Sequence, residues 1–172
     1  MINVGFIEEI IFRGFLFKMM QKSNLKRAIY PISIEKMKEI VEVEKNEILK
    51  IAYKEMLDGC LNDPEKYIWY TLWFMELKNF KNEIVGTLSF KGIDDNGTVE
   101  IGYGINDGYG NKGYMTEAVR AISKWALMQP NVKQIEAEAE ESNIASIRVL
   151  EKCNFVPNGE MGEEGIRFVW KG

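Results

Sequence analysis

Residues 109–117 read Tyr-Gly-Asn-Lys-Gly-Tyr-Met-Thr-Glu, and they lie between a strand-like run, Val99–Ile105, and a helix-like run, Thr116–Met128. A glycine-bearing turn in that place forces a strand-turn-helix unit on the chain. The turn's N–H groups and the orphan donors of the first helical turn then converge on one spot. Such a spot suits an anion, usually a phosphate.

The rest of the composition narrows what can be done with that anion. The 172 residues suffice for one domain with a real core, and the net charge of −4 favours neither a nucleic acid nor an anionic membrane as partner. A bound anion must therefore be held by local donors. The chain has no histidine. That excludes Ser-His-Asp and Cys-His nucleophiles, His-built zinc sites and imidazole bases, leaving carboxylates, Tyr, Lys, Cys, Ser or water for acid–base work. Cys60 and Cys153 show no disulfide framework or metal-ligand spacing and are expected to be buried thiols. The start carries no secretory signature, and no apolar run approaches the roughly 20 residues of a membrane span. The chain reads as cytoplasmic.

Two segments differ in character. Residues 1–24 are read as an apolar helical extension, and residues 25–172 as the working domain. Within the extension, Glu8-Glu9 followed by Arg13-Gly14-Phe15-Leu16-Phe17 resembles the first signature of the CAAX-type intramembrane proteases. That family also needs histidines, so its activity does not carry over. Packing on a neighbouring element is the expectation for this segment, ahead of a membrane-surface helix.

Along the domain, Leu25–Tyr30 reads as a strand ended by Pro31, and Ser33 as the cap of a helix bearing Met37, Ile40 and Val41. A second helix is expected over Asn46–Leu57, stopped by Gly59 and Asn62-Asp63-Pro64. The aromatic run Tyr67–Leu77 suggests a strand covered on both faces, with a turn at Phe80–Glu83 and a strand at Ile84–Lys91 after it. Asp94-Asp95-Asn96-Gly97 signals a hairpin into Thr98–Asn106. Beyond the helix Thr116–Met128, a strand at Gln134–Ala139, a short helix at Asn143–Lys152 and strands at Phe155–Glu160 and Ile166–Lys171 complete the domain. The order predicts a single α/β (α+β) domain with a mixed, mostly antiparallel sheet of about six to seven strands flanked by helices.

The strand Thr98–Asn106 is poor core material on one face. Val99, Ile101, Tyr103 and Ile105 point one way, and Glu100, Gly102 and Gly104 the other. Glycines in a strand mark bulges or a close approach to the backbone. Further on, Asn143 occupies a cap position and Ser146 falls in the same first turn. Glu136, Glu138 and Glu140 alternate on one strand and read as a solvated face ahead of an amine-attracting patch; Trp69, Trp73, Tyr53 and Met56 read mostly as core, with one or two of them open to lining an acceptor pocket.

Val99–Arg120 together with Asn143–Phe155 resembles the GNAT acyltransferase superfamily, in particular the branch of the ribosomal-protein N-terminal acetyltransferases. The resemblance covers roughly residues 25–171 and implies acetyl-CoA as cosubstrate, no metal and a primary amine as acceptor, either a protein N-terminus or a small molecule. It implies cofactor contacts from the backbone of Tyr103, Gly104 and Ile105, from the amides of Gly110, Asn111, Lys112, Gly113, Tyr114, Met115 and Thr116, and from Asn143. In the usual turn of the family, Gln or Arg and a final Gly or Ala stand where this chain has Gly110 and Met115, so Met115 must turn its side chain away. The tyrosine acid of many relatives is matched by Leu150, which cannot protonate anything, so Ser146 is the implied donor to the departing sulfur. Glu100 is the candidate base, acting through a water. The missing tyrosine keeps a second reading open, a non-catalytic acyl-CoA-binding or regulatory module. The acceptor and the oligomeric state, a homodimer included, are left open by the sequence.

Overall fold

The computed structural model describes residues 27–77 and 83–171. The N-terminal extension and the turn at 80–83, save Glu83, fall outside the described residues. A seven-stranded sheet of order β1-β2-β3-β4-β5-β7-β6 organises the domain. Its strands are β1 (Arg27–Pro31), β2 (Leu72–Leu77), β3 (Glu83–Ile93), β4 (Thr98–Ile105), β5 (Gln134–Ala139), β6 (Phe155–Met161) and β7 (Ile166–Trp170). Helices α1 (Ile34–Val43) and α2 (Glu47–Asn62) follow β1, α3 (Tyr114–Leu127) links β4 to β5, and α4 (Ile144–Lys152) links β5 to β6. Only the β4–β5 pair is parallel; the other five are antiparallel. This is the expected mixed, mostly antiparallel sheet.

Local chemistry explains most boundaries. Ser33 Oγ accepts the Lys36 amide at 3.2 Å and starts α1, and Asn46 Oδ1 accepts the amides of Ile48 and Leu49 to start α2. Pro31 is tolerated because β1 is an edge strand. The α2 helix runs past Gly59 to Asn62, so that glycine does not end it. In the β3–β4 hairpin Asp94 accepts the amides of Asn96 and Thr98, and of the Asn-Gly pair only Gly97 takes a positive φ, +84°.

One expected strand is corrected. Tyr67–Leu77 is extended only from Leu72; Pro64–Trp69 is a short 3₁₀ helix. Proline suits the first position of a helical turn. The Thr71 and Tyr70 amides both donate to Tyr67 O, and the Trp73 indole donates to Ile68 O at 2.9 Å, so the aromatic run folds back on itself. This brings Trp69 into the core, where its ring stacks 5.2 Å from Trp125, while Trp73 lies 4.8 Å from the same ring. Around these rings, α3 buries Ala118, Val119, Ile122 and Ala126, the stripe its 3.6-residue period predicts. Each large side chain so buried stabilises the fold by about 1.5–3 kcal/mol. Cys60 and Cys153 are both free and buried.

Candidate functional site

The sheet comes apart in its middle. β3 pairs with β4 as far as Gly86↔Ile105, but β5 pairs with β4 only at Thr98↔Gln134, Val99↔Ile135 and Glu100↔Glu136. Among the described residues, the β5-side edge of β4 has no strand partner from Ile101 to Ile105. Backbone polar groups need partners, so this edge offers a ladder to an extended, amide-bearing ligand. Burial along β4 follows the parting: Val99 and Ile101 are buried, Tyr103 is partly covered and Ile105 is exposed. Gly102 and Gly104 stand opposite Ser89 and Thr87, and a Cβ on Gly104 would approach nothing closer than 4.0 Å. A Cβ on Gly102 would meet Ser89 Oγ at 3.2 Å, so the glycine face is open at Gly104 and tighter at Gly102.

At the end of β4 the chain enters the glycine turn. Asn106 anchors it, donating its amide to Val85 O and its side-chain amide to Ile84 O, both at 2.9 Å. Gly108, Asn111 and Gly113 all take positive φ. Gly113 is the N-cap of α3, and no side chain caps that helix. Each other described α-helix is capped by a Ser or Asn side chain. The start of α3 thus has no side-chain cap from its own N-cap residue, and the positive end of the helix dipole lies behind it. Met115 turns inward, only 7% exposed, which clears the first-turn amides. Lys112 Nζ donates to Gly108 O at 2.7 Å and sits over the Tyr109 ring, stapling the turn.

Helix α4 begins differently. Asn143 Oδ1 accepts the Ser146 amide at 3.1 Å, a side-chain cap of the ordinary kind. Ser146 Oγ lies 2.9 Å from Tyr103 Oη, which also donates to Ser146 O at 3.1 Å. Burial pushes the Tyr103 phenol up to about 12, against the lowering effect of its bond to Ser146. Leu150 is wholly buried and does not reach the surface of the site.

A cleft of about 470 Å³ opens where β4 leaves β5, and its walls include Glu100, Gly102, Tyr103, Asn143 and Ser146. Candidates from two distant sequence blocks thus share one cavity. Gly104, Ile105 and the turn 110–116 do not line it; they continue from it along β4 to the start of α3.

Three charged groups were not singled out by sequence. Lys91 on β3 forms ion pairs with Glu100 and, at 2.9 Å, with Glu164 from the β6–β7 turn. Burial would lower the Lys91 ammonium, but the bonds to both carboxylates outweigh it and hold the pKa above the ordinary lysine value. Glu100 is 22% exposed, so its carboxylate is accessible yet charge-compensated. The reading of Glu136, Glu138 and Glu140 as a solvated face is corrected for Glu136, which is 16% exposed and 3.7 Å from Arg167, and for Glu138. The Glu138 side chain is 2% exposed, bonded by Arg167 at 2.7 Å and by the Glu164 amide at 2.8 Å. Burial would raise that carboxyl, but these donors hold it below the usual range. The turn carrying Glu164 presses so close that a Cβ on Gly162 would lie 1.7 Å from Glu138 Oε1. The alternation of charges on β5 gave no sign of this, because Arg167 arrives from another strand.

Residues 16–156 match the Acetyltransferase (GNAT) domain. The match begins inside the stretch that resembled a membrane-protease signature, and that resemblance finds no support and is withdrawn. The chain is 39% identical over 88 residues to an uncharacterized N-acetyltransferase of Bacillus subtilis, YjdG, covering 51% of this chain and 52% of that protein. It is 36% identical over 80 residues to a probable N-acetyltransferase of the same organism, YjcK, over 45% of this chain and 44% of that one. The aligned part spans about half the length of these curated relatives or less. Among solved structures, a ribosomal-protein-S5-alanine acetyltransferase from Vibrio fischeri superposes with TM-score 0.64 at 19% identity, over 86% of this chain and 97% of that one. A ribosomal L7/L12 α-N-protein acetyltransferase in complex with coenzyme A gives 0.65 at 14% identity, over 85% and 94%. A spermidine N-acetyltransferase SpeG chimera from Vibrio cholerae and hSSAT gives 0.65 at 13%, over 85% and 95%. At these identities the likeness is one of fold. Among the described residues no helix is long and apolar enough to cross a membrane.

Proposed function

The chain belongs to the GNAT acetyltransferase family, and on that premise we propose that it moves an acetyl group from acetyl-CoA to a primary amine. The observation that carries this reading is the unpartnered β4 edge leading into the uncapped start of α3. The residues present fit the cosubstrate. The amides of 110–116 form a nest for a diphosphate, and the free edge of Tyr103–Ile105 suits the amide groups of a pantetheine arm. Bound acetyl-CoA supplies the activated acyl thioester; the protein supplies position and charge.

An amine attacks only when neutral, whereas an α-amino group has pKa about 7.7–8.0 and a lysine about 10.4. Glu100 is the base in this proposal, receiving the proton through a water in the cleft. Lys91 holds that carboxylate by an ion pair, and an incoming ammonium competes with Lys91 for it. Glu138, Glu140, Glu163 and Glu164 also line the cleft, so its field favours a cationic acceptor. Ser146 offers its hydroxyl to the departing sulfur as a hydrogen-bond donor. Asn143 holds that turn of α4, with its amide NH2 left for the cosubstrate. Keeping the two reactants at attack distance supplies much of the rate, as orientation generally does.

The test is thiol release from acetyl-CoA across peptides, polyamines, amino acids and aminoglycosides. Turnover with at least one amine is expected, and Glu100→Gln should lower kcat by about 100-fold or more. Tight CoA binding with no turnover in any class would replace this reading with that of an acyl-CoA-binding module.

A further inference from the structure

Tyr103 enters the reading above only through its backbone, yet its side chain hydrogen-bonds the first turn of α4. The phenol has a single proton and two acceptors: Ser146 O at 3.1 Å and Ser146 Oγ at 2.9 Å. The two choices have different consequences. When Tyr103 donates to the carbonyl, the serine hydroxyl turns its own proton to Tyr103 Oη, and the cleft receives none. When Tyr103 donates to Oγ, the serine proton is free to point into the cleft. The carbonyl belongs to α4, where the helical ladder already provides an amide donor, so it does not depend on the phenol. The hydroxyl oxygen is the nearer of the two acceptors.

We infer that Tyr103 is a positioning residue: its phenol donates to Ser146 Oγ when negative charge develops in the cleft and so aims the serine proton at the sulfur. This rests on the proposed role of Ser146. A chain of two hydroxyls ending on an anion is polarised along its length and each bond strengthens the next. Tyr103 keeps its proton throughout. A phenol pushed up to about 12 by burial gives a hydrogen bond and is a poor source of a proton for a thiolate. No bond is made or broken at Tyr103; the device is a reorientation of two O–H groups. It also accounts for how the site operates with Leu150 where relatives place an acid, since a serine hydroxyl alone is a weak donor and a neighbouring donor sharpens it.

The experiment is a double-mutant cycle of Tyr103→Phe and Ser146→Ala, read in two ways. The first is the thiol pKa of bound CoA, from the ultraviolet absorbance of the thiolate, which needs no turnover. Ser146→Ala should raise that pKa by about one pH unit, the scale of a hydrogen bond to a charged group, and Tyr103→Phe by about half as much. The second is kcat, expected to fall about 3-fold in Tyr103→Phe with KM for acetyl-CoA within about two-fold of wild type. In the Ser146→Ala background, Tyr103→Phe should change neither quantity. Independent, multiplying effects of the two substitutions would overturn the inference, as would a Tyr103→Phe protein with wild-type thiol pKa and kcat. A defective Ser146→Ala beside a silent Tyr103→Phe leaves the role of Ser146 standing and removes only this inference. A silent Ser146→Ala removes both.

Discussion

The α4 helix starts beside the place where β4 leaves β5, α3 starts beyond the far end of β4, and the two are finished in opposite ways. The α4 start is closed by the protein itself: Asn143 caps it, and Ser146 is tied to Tyr103. The α3 start is left open: its cap is a glycine at φ +77° with no side chain, and the open shelf of β4 leads directly to it. Both ends carry the same kind of orphan amide and the same sign of dipole. What differs is who satisfies them. The α4 start is completed by its own side chains, which then face the cleft; the α3 start, bare at the edge of a groove, is completed by what it binds.

The comparison is broken most forcefully by putting a charge where α3 has none. Gly113→Asp should weaken CoA binding by about 1,000-fold, since like charges about 4 Å apart near a surface repel by about 4 kcal/mol. Gly113→Asn, neutral and tolerant of positive φ, should lose far less; calorimetry on the two variants isolates charge from conformation. Next comes the shelf between the two helix starts. Gly104→Ala meets nothing nearer than 4.0 Å in the protein, so thermal stability should hold while CoA affinity falls about 10-fold through blocked approach. The closed end should respond in the reverse sense. Asn143→Ala removes a cap worth about 1 kcal/mol, which lowers Tm by about 2–4 °C in a domain of this size and should alter CoA affinity less than Gly113→Asp does. The smallest effect sharpens the claim that backbone holds the anion. Lys112→Ala should reduce CoA affinity less than about 5-fold, the scale of an exposed charge pair, because its ammonium already serves Gly108 O.

The open and closed ends were not equally legible in the sequence. Strand β4, the glycine turn, α3 and the Asn143 cap follow from local signals, namely alternation, turn glycines and a 3.6-residue stripe, so residues near one another in the chain suffice to place them. The resemblance added that Glu100, Asn143 and Ser146 share a site, and the fold does bring them to one cleft. The parting of β4 from β5 was not readable, because it depends on where two strands over thirty residues apart stop pairing. For the same reason the chain alone showed neither the Tyr103–Ser146 contact, 43 residues apart, nor the Lys91–Glu100 pair. Glu138 was misread because its partner Arg167 comes from β7. The 3₁₀ helix at Pro64–Trp69 escaped notice because an aromatic run is equally apolar whether it extends or coils; Pro64 was the available signal.

Amide NMR of the labelled protein, titrated with CoA, tests the central claim most directly. The account predicts that the amides of Gly110–Thr116 and of the β4 edge from Gly102 to Ile105 shift most, while the capped amides of α1 and α2 stay in place. A titration in which CoA binds but the resonances of Gly110–Thr116 do not move would contradict it.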